Sequence, residues 1–362
     1  MGTHWQKLAT ALTLAMVVSS APVWAQSALP FQGQSLRVAS YGGGTGKIFR
    51  EAVTGPFERR TGAHIEWSEG APLDFMAQII GAKGGPAPYD IALLEDIEAP
   101  QAAAQGVIYK LDFNNIPNAK LLPPEALPAD GYSAAWGYFR LGIAYLPDKL
   151  KAAGIAPPKN LSIIFDPRLA GHLALPDVTQ SNWPNFMPTI AAFLGNPLSD
   201  PEPTINKLAS IKGASLFGSS SDMEARMTSG EIWVALWIDG RVNGLKLKGT
   251  RIEFAPMGIP DGKGGTLDYT AVLGLLTVTN PNKKALAEAW IDTLLSTPVA
   301  SQIAIRSTYA PSNIEAQKAV KADPKVGPMV DTDIAKQFTP DFAAWPKVQD
   351  KWIDAWGKAF RR

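Results

Sequence analysis

Apolar residues in the first part of the chain alternate between strand spacing and helix spacing. Residues 35–40 have the two-residue period of a half-buried strand, and three glycines interrupt it before apolar side chains return at helical spacing. The same succession then recurs. The elements predicted in this part are strands at 35–40, 64–67 and 89–94 and helices at 45–57, 74–81 and 97–106. Strands that alternate with helices predict a mostly parallel sheet covered by helices.

The rest of the chain continues the alternation and predicts a second lobe of the same α/β kind. The predicted strands are at 136–145, 173–175, 232–237, 251–257 and 271–279, and the predicted helices at 189–194, 221–229, 282–295 and 339–360. Residues 131–138 and 258–268 are interpreted as crossovers between the lobes. The predicted division is 26–135 for the first part of an N-terminal lobe, 136–265 for a central lobe, and 266–362 for the return to the N-terminal lobe and the C-terminal helices.

The first 25 residues have the pattern of a secretory signal peptide. Lys7 supplies a positive start, residues 8–18 are apolar, and residues 21–25 end in small side chains as a cleavage site does. The apolar run is shorter than the about 20 residues that a transmembrane helix needs. We therefore expect cleavage after Ala25, export to the periplasm and no membrane insertion.

Composition narrows the classes of function. The chain of 362 residues is 46% hydrophobic and 19% charged, which suits two globular lobes rather than disorder. Its 34 basic residues nearly balance its 33 acidic residues, so we expect no nucleic-acid partner. The absence of cysteine excludes disulfides, thiolate metal sites and a cysteine nucleophile, and it leads us to expect no lipid anchor.

Residues that suit catalysis or metal binding are few. After loss of the signal peptide the only histidines that remain are His64 and His172, and neither has a second ligand at metal spacing. The glycine loop before Lys47 lacks the first glycine of a phosphate-binding loop, and Ile48 stands where that loop has Ser or Thr. We therefore expect no metal, no cofactor and no enzymatic activity. A periplasmic hydrolase built on two carboxylates is the one enzyme class left open.

Several short segments follow one another in the order typical of a known family. They are LRVASYGG at 36–43, PFERRTG at 56–62, YDIA at 89–92, AAQGVIYKLD at 103–112, FDPRLAG at 165–171, the helix at 282–297 that ends LLSTP, and YAPSN at 309–313. In this order they resemble the type II periplasmic solute-binding proteins of ABC transporters, in particular the branch that binds spermidine and putrescine.

This resemblance implies an α/β protein with two lobes, each a mostly parallel sheet flanked by helices, and a ligand cleft between them. It implies capture of a small solute by lobe closure. The captured solute would be delivered to an inner-membrane ABC permease whose ATPase is a separate chain. The protein is then expected to be a periplasmic monomer. A binding module for sensing or chemotaxis would have the same sequence pattern.

Candidate ligand contacts follow from the position of the predicted strands. Ligands of doubly wound sheets bind beyond the carboxyl ends of the strands, so polar and aromatic residues at those ends are the candidates. They are Tyr41, Gly42, Gly43, Glu95, Asp96, Thr179, Asn182, Trp183, Trp237, Asp239, Asp268 and Tyr269, with Arg241 and Gly44 as candidate anion contacts. The family resemblance supports Tyr41, Trp237 and Asp268 among them.

The candidate set combines aromatic rings with carboxylates. Aromatic faces bind alkyl chains and cations, and carboxylates form charge-assisted hydrogen bonds with ammonium groups, so we expect an amine-bearing, polyamine-like ligand. However, Gly42 and Gly43 stand where the polyamine branch has an acidic residue. Arg241 could bind a carboxylate or phosphonate. An opine, an amino acid or an aminophosphonate therefore stays open as the ligand.

Some candidates also have a purely structural interpretation. Trp237 lies on an apolar strand and would also fit the core. Glu95 and Asp96 would also cap the helix that follows them. Asp239 would also form a structural pair with Arg241.

Overall fold

The structure is a computed structural model that describes residues 29–330, 333, 337–341 and 344–360. The predicted signal peptide lies outside the described residues. The first lobe begins with three parallel strands, in which β1 (Ser35–Tyr41) lies between β2 (His64–Gly70) and β3 (Ile91–Glu95). Its first helices are α1 (Gly43–Thr61), α2 (Pro72–Gly81) and α3 (Glu98–Ala104). All the elements predicted in this part of the sequence are confirmed.

Two long antiparallel strands connect the first lobe with the second. Strand β4 (Ser133–Tyr145) pairs with β11 (Thr270–Val278) as far as Leu141, and β11 also pairs with β3. Beyond Leu141, β4 pairs with strands of the second lobe. One continuous strand therefore serves both lobes, and the change of partner lies a few residues beyond the crossover predicted at 131–138.

The second lobe repeats the parallel arrangement. Its strands are β5 (Leu173–Pro176), β6 (Ser215–Phe217), β7 (Val234–Ile238) and β8 (Glu253–Ala255), and β5 is parallel to both β6 and β7. Its helices are α4 (Pro147–Ala152), α5 (Trp183–Leu194), α6 (Glu202–Ala209), α7 (Ser220–Ser229) and α8 (Asp239–Leu247). The complete sheet runs in the order β2-β1-β3-β11-β4-β7-β5-β6, with β8 paired to β4.

The segment predicted as the return crossover has a different structure. Within 258–268, β9 (Ile259–Pro260) and β10 (Thr266–Leu267) form a short antiparallel hairpin. The return to the first lobe is made by β11 itself. The prediction of a crossover at 258–268 was wrong because glycines at a hairpin turn and at an irregular crossing give the same sequence signal.

The C-terminal part contributes to both lobes. It comprises α9 (Lys284–Leu295), α10 (Thr297–Ser307), β12 (Ala310–Pro311), which pairs with β4, α11 (Ile314–Ala322) and α12 (Gln349–Phe360). Helix α12 packs on the second lobe, where Trp352 Nε1 donates to Leu198 O (2.9 Å) and Trp356 Nε1 to Asp177 Oδ1 (2.9 Å). The exact residue boundaries of the lobes stay a prediction.

The last helix is also shorter than predicted. The predicted helix began at residue 339, whereas α12 begins at Gln349. Pro346 lies in a separate 3₁₀ turn (Trp345–Lys347), because proline lacks the backbone donor that a helix interior needs. The tryptophans of this region, Trp345, Trp352 and Trp356, are fully buried in the core. Within the described ranges, no helix has both the length and the hydrophobicity to cross a bilayer.

Candidate ligand-binding site

A cavity of about 160 Å³ lies between the two lobes. It is formed where the carboxyl ends of β1, β3 and β7 meet the first turns of α1, α2, α5, α7 and α8. Such strand ends are the usual ligand position in open α/β sheets. The lining residues are Tyr41, Gly42, Thr45, Gly70, Ala71, Pro72, Glu95, Trp136, Phe139, Ser181, Asn182, Ser220, Ile238, Arg241 and Tyr309.

A larger cavity of about 360 Å³ lies elsewhere, in the first lobe alone. It is lined by the glycine- and proline-rich loop 82–88 and by Arg37, near the amino end of β1. The guanidinium of Arg37 is already paired with Asp90, with Nη2 2.9 Å from Oδ1. The interlobe cavity is therefore the better candidate site, because it lies at the carboxyl ends of strands and presents groups from both lobes.

Aromatic rings form one wall of the interlobe cavity. The ring of Tyr309 lies 6.0 Å from that of Trp136 and 5.7 Å from that of Phe139, and Tyr41 lies edge-on to Trp136 at 6.1 Å. Trp136 Nε1 donates to the Tyr41 hydroxyl at 3.4 Å. Gly274 of β11 leaves room for the Trp136 ring, since a Cβ there would stand 2.1 Å from Trp136 Nε1. This wall can bind an alkyl chain or a cation.

Glu95 supplies a buried carboxylate to the same cavity. Its Oε2 accepts a hydrogen bond from Asn182 Nδ2 of the second lobe at 3.4 Å, and its side chain has no ion-pair partner among the described residues. Burial, followed by the charges of Glu98 and Asp96, raises the pKa of Glu95 well above its usual value. A positively charged ligand group would offset both causes, because it would neutralise the carboxylate within the buried site.

Arg241 supplies a guanidinium from the first turn of α8. Its Nη1 lies 3.0 Å from Oε1 of Glu224, and Lys248 shares that carboxylate at 3.7 Å. Arg241 therefore lines the cavity as one member of an ion pair, which the more exposed Lys248 also approaches. The Nε of Arg241 is buried and has no hydrogen-bond partner among the described residues. A buried donor of this kind is costly unless an acceptor reaches it.

The cavity brings together five of the residues selected from the sequence: Tyr41, Gly42, Glu95, Asn182 and Arg241. Their role as ligand contacts stays a prediction. The other selected residues lie outside the cavity, for reasons that differ from one residue to the next.

The two selected tryptophans lie in the core. Trp237 is fully buried and Trp183 is 1% exposed. Ile238 lines the cavity, whereas the neighbouring Trp237 is fully buried and donates from Nε1 to Oγ of the lining residue Ser220 at 3.4 Å. Trp183 packs edge-on against Trp356 of α12 at 5.5 Å. Neither indole lines the cavity, which corrects the sequence-based selection of both.

Asp239 and Tyr269 are held by Arg140 of β4. Arg140 Nε lies 2.8 Å from Asp239 Oδ2 in a pair that is almost entirely buried. The guanidinium of Arg140 also lies 4.5 Å from the ring centre of Tyr269, which stacks on Phe254. The sequence considered Arg241 as the partner of Asp239. In the structure Asp239 pairs with Arg140 instead, so neither Asp239 nor Tyr269 reaches the cavity.

Three further polar candidates point away from the cavity. Asp96 follows Glu95 directly and therefore faces the other side, where its Oδ1 accepts the backbone N–H of Leu273 at 2.7 Å. Thr179 is exposed, and its hydroxyl donates to Asp177 at 3.3 Å. Asp268 is exposed beside the β9–β10 hairpin and is not among the residues that line the cavity.

The glycine loop has a packing role that the sequence did not indicate. Gly42 lines the cavity, whereas Gly43 and Gly44 begin α1 and are exposed outside it. The tightest position is Gly46, where a Cβ would stand 1.9 Å from the carbonyl oxygen of Tyr41. These glycines thus let α1 begin close against the end of β1.

Several lining residues were missed by the search at strand ends. Trp136 and Phe139 lie in the middle of β4, and Tyr309 lies between α10 and β12. No local pattern marks them. Ser220 opens α7 after the capping residue Ser219, and this helix start was the one available signal. Among the described residues, no group of three or more His, Asp or Glu side chains could hold a metal ion.

Together, the two lobes, the crossing strands and the interlobe cavity define a solute-binding protein of the type II fold. Residues 52–328 match the family model described as bacterial extracellular solute-binding protein, and the chain belongs to that family. It is 23% identical over 306 residues to the putrescine-binding periplasmic protein SpuD of Pseudomonas aeruginosa, covering 78% of this chain and 80% of that protein.

Solved structures agree on the fold. An ABC transporter structure from Clostridium perfringens has a TM-score of 0.71 and 22% identity, covering 90% of this chain and 99% of that chain. The binding protein MotA of A. tumefaciens B6 in complex with glucopine has a TM-score of 0.70 and 19% identity, covering 90% of this chain and 99% of that chain. The predicted fold class and the predicted solute-binding function are confirmed.

Proposed function

We propose that this protein is the ligand-capturing component of an ABC transporter and binds a small amine-bearing solute in the interlobe cavity. The observation that carries the proposal is Glu95, a carboxylate 5% exposed that faces the aromatic wall without an ion-pair partner among the described residues. An ammonium group fits between such a carboxylate and aromatic faces. Lobe closure around the solute would then present the closed form to a permease.

Arg241 favours a ligand that carries an acidic group as well as the amine. The cavity contains one carboxylate, Glu95, and one guanidinium, Arg241. A diamine would bring its second ammonium into a cavity without a second carboxylate and with a guanidinium nearby. A zwitterion, such as an amino acid or an opine, satisfies both groups with opposite charges. The similarity to MotA supports this class, and the similarity to SpuD supports the diamine.

The proposal extends to location and mode of action. The signal-peptide pattern of residues 1–25 and membership of an extracellular family support export to the periplasm. Membership of a solute-binding family supports release of the ligand unchanged, without catalysis. The ATPase that drives transport would be a separate chain.

Two small amines test the ligand class directly. Putrescine has an amine at each end of a four-carbon chain, and 4-aminobutyrate has an amine at one end and a carboxylate at the other. Calorimetric titration of the purified protein with each is expected to give tighter binding of 4-aminobutyrate, with spermidine and glucopine as further probes. Tighter putrescine binding would establish the diamine. Failure of every amine to bind, or conversion of a bound probe detected by NMR, would contradict the proposal.

A further inference from the structure

One aromatic residue of the cavity wall rests on the bare backbone of a helix from the other lobe. Tyr309 follows α10 in the first lobe, and its ring lies against α8 at Gly240. A Cβ built at Gly240 would stand 1.8 Å from Cε1 and 2.3 Å from Cδ1 of that ring. Side-chain atoms never approach so closely, so any other residue at position 240 would displace the ring or separate the two segments.

The ring of Tyr309 has little room to give way. It is 7% exposed and packed on its other side by Trp136 and Phe139. A methyl group at position 240 therefore cannot be accommodated by a simple rotation of the tyrosine, as it could be if a flexible side chain lay there.

The residue before Tyr309 also contacts Gly240. The hydroxyl of Thr308 donates to the carbonyl oxygen of Gly240 at 3.1 Å. Thr308 has a φ of 61°, and it is the single residue other than glycine with a positive φ in the part of the chain that the structure describes. A β-branched residue rarely adopts this conformation unless its surroundings hold it there, and such residues cluster at functional sites.

Gly240, the residue on which the Tyr309 ring rests, is also held firmly in place. Asp239, the residue before Gly240, forms the buried pair with Arg140 on β4, the strand shared by both lobes. The backbone N–H of Gly240 donates to Asp239 Oδ1 at 2.7 Å. Helix α8 therefore starts from a rigid point beside the crossing strands, and the Tyr309 ring meets it at that point.

We propose that Gly240 is a positioning residue of the ligand site: its bare backbone seats Tyr309 in the cavity wall and couples contact with the ligand to docking of the two lobes. The inference rests on the proposed function for its ligand, but the contact between Tyr309 and Gly240 is made within the chain and needs no ligand. Helix α8 also offers a matched control, because a Cβ at Gly244, one turn further along, would meet no atom within 4 Å.

Spin-label distances test the coupling without any ligand. The chain has no cysteine, so labels react only at introduced sites. Ala77 on α2 and Ala225 on α7 are exposed helical positions, and both helices begin at the cavity. With A77C and A225C labelled, Gly240→Ala is expected to shift the ligand-free distance distribution to longer values, whereas Gly244→Ala keeps that of the parent. Identical distributions for the two variants would overturn the proposal.

A double-mutant cycle tests whether Gly240 acts through Tyr309. Tyr309→Ala alone is expected to lengthen the distances, and Gly240→Ala is expected to add nothing in that background. A parent-like distribution for Tyr309→Ala, or additive effects of the two changes, would overturn the proposal. The Tyr309→Ala measurement also keeps the test decisive if Gly240→Ala does not fold.

Titration of the same variants with 4-aminobutyrate and putrescine separates this proposal from the proposed function. Gly240→Ala is expected to weaken binding of the preferred probe by at least about tenfold, and Gly244→Ala by less than about twofold, since an open helical position tolerates alanine. If neither probe binds the parent while the distances still separate the two variants, the ligand class fails and the positioning role stands. If the parent and both variants bind alike, the positioning role fails and the ligand class stands.

Discussion

Oε2 of Glu95 and Nδ2 of Asn182 lie 3.4 Å apart inside the cavity, and the two residues come from opposite lobes. Glu95 ends a strand of the first lobe, and Asn182 directly precedes α5 in the second, where its side chain makes no capping hydrogen bond. The contact is long for a hydrogen bond. A ligand ammonium beside Glu95 would therefore replace a weak interlobe contact with a strong charge-assisted one.

Replacing the carboxylate of Glu95 tests its role. Glu95→Gln keeps the shape of the side chain but removes the negative charge, so binding of the preferred amine is expected to weaken at least about tenfold, or about 1.4 kcal/mol. The free energy of unfolding should not fall, because the neutral amide replaces a carboxyl whose charged form burial already disfavours. Calorimetric titration and urea denaturation check the two effects. Glu66→Gln on the exposed face of β2 is the matched control. An equal loss of affinity in that variant would show that the Glu95 carboxylate does not bind the amine specifically.

The acidic environment of Glu95 predicts that amine binding depends on pH. The pKa of Glu95 is raised by burial and then by the charges of Glu98 and Asp96, so the ligand-free carboxyl holds a proton beyond its usual range. A cationic ligand binds the ionised form, so affinity should rise with increasing pH over the range in which the ligand-free carboxyl loses its proton, and below that range a proton should be released on binding. Tyr41 and Tyr309 face the same carboxyl, and burial raises both their pKa values, so they stay neutral throughout.

Calorimetry in two buffers of different ionisation enthalpy measures that proton release. The observed binding enthalpy is expected to change with the buffer for the parent protein and to be independent of the buffer for Glu95→Gln. If the binding enthalpy of the parent protein does not depend on the buffer, or if affinity falls as the pH rises, then Glu95 does not release a proton to pair with the ligand's positive charge.

The burial of Glu98 predicts that the free energy of unfolding depends on pH. Burial raises its pKa from 4.5 to about 7, so the folded state binds this proton more tightly than the unfolded state does. Its contribution to stability is present below pH 4.5 and is lost as the pH rises through about 7, up to about 3 kcal/mol. Glu98→Gln should still accept the backbone N–H of Glu95, so urea denaturation at pH 5 and pH 8 is expected to show a smaller loss than in the parent. Glu125→Gln, at an exposed position, should keep the full loss.

Arg241 is expected to determine which end groups the site accepts. Arg241→Met removes the guanidinium and keeps an apolar stem of similar length, so the preference for 4-aminobutyrate over putrescine should fall by about tenfold or more, as expected for loss of a charged partner. Competition binding measures the ratio of the two affinities. Arg251→Met is the control, since Arg251 is highly exposed and pairs with Asp148 outside the cavity. If the ratio of the two affinities is unchanged in Arg241→Met, Arg241 does not bind an acidic group, and the proposal that the ligand carries one would be wrong.

The sequence by itself determined the succession of strands and helices and the α/β class, because apolar periodicity records which face of each element is buried. It also selected Tyr41, Glu95 and Asn182, which line the cavity, because these residues lie where predicted strands end or a helix begins. Only the tertiary structure decided which of two adjacent strand-end residues faces the cavity, as for Glu95 and Asp96, because that depends on the twist and pairing of the whole sheet. It also decided that Tyr309 joins the wall by resting on Gly240, a contact between residues distant in sequence that no local pattern encodes.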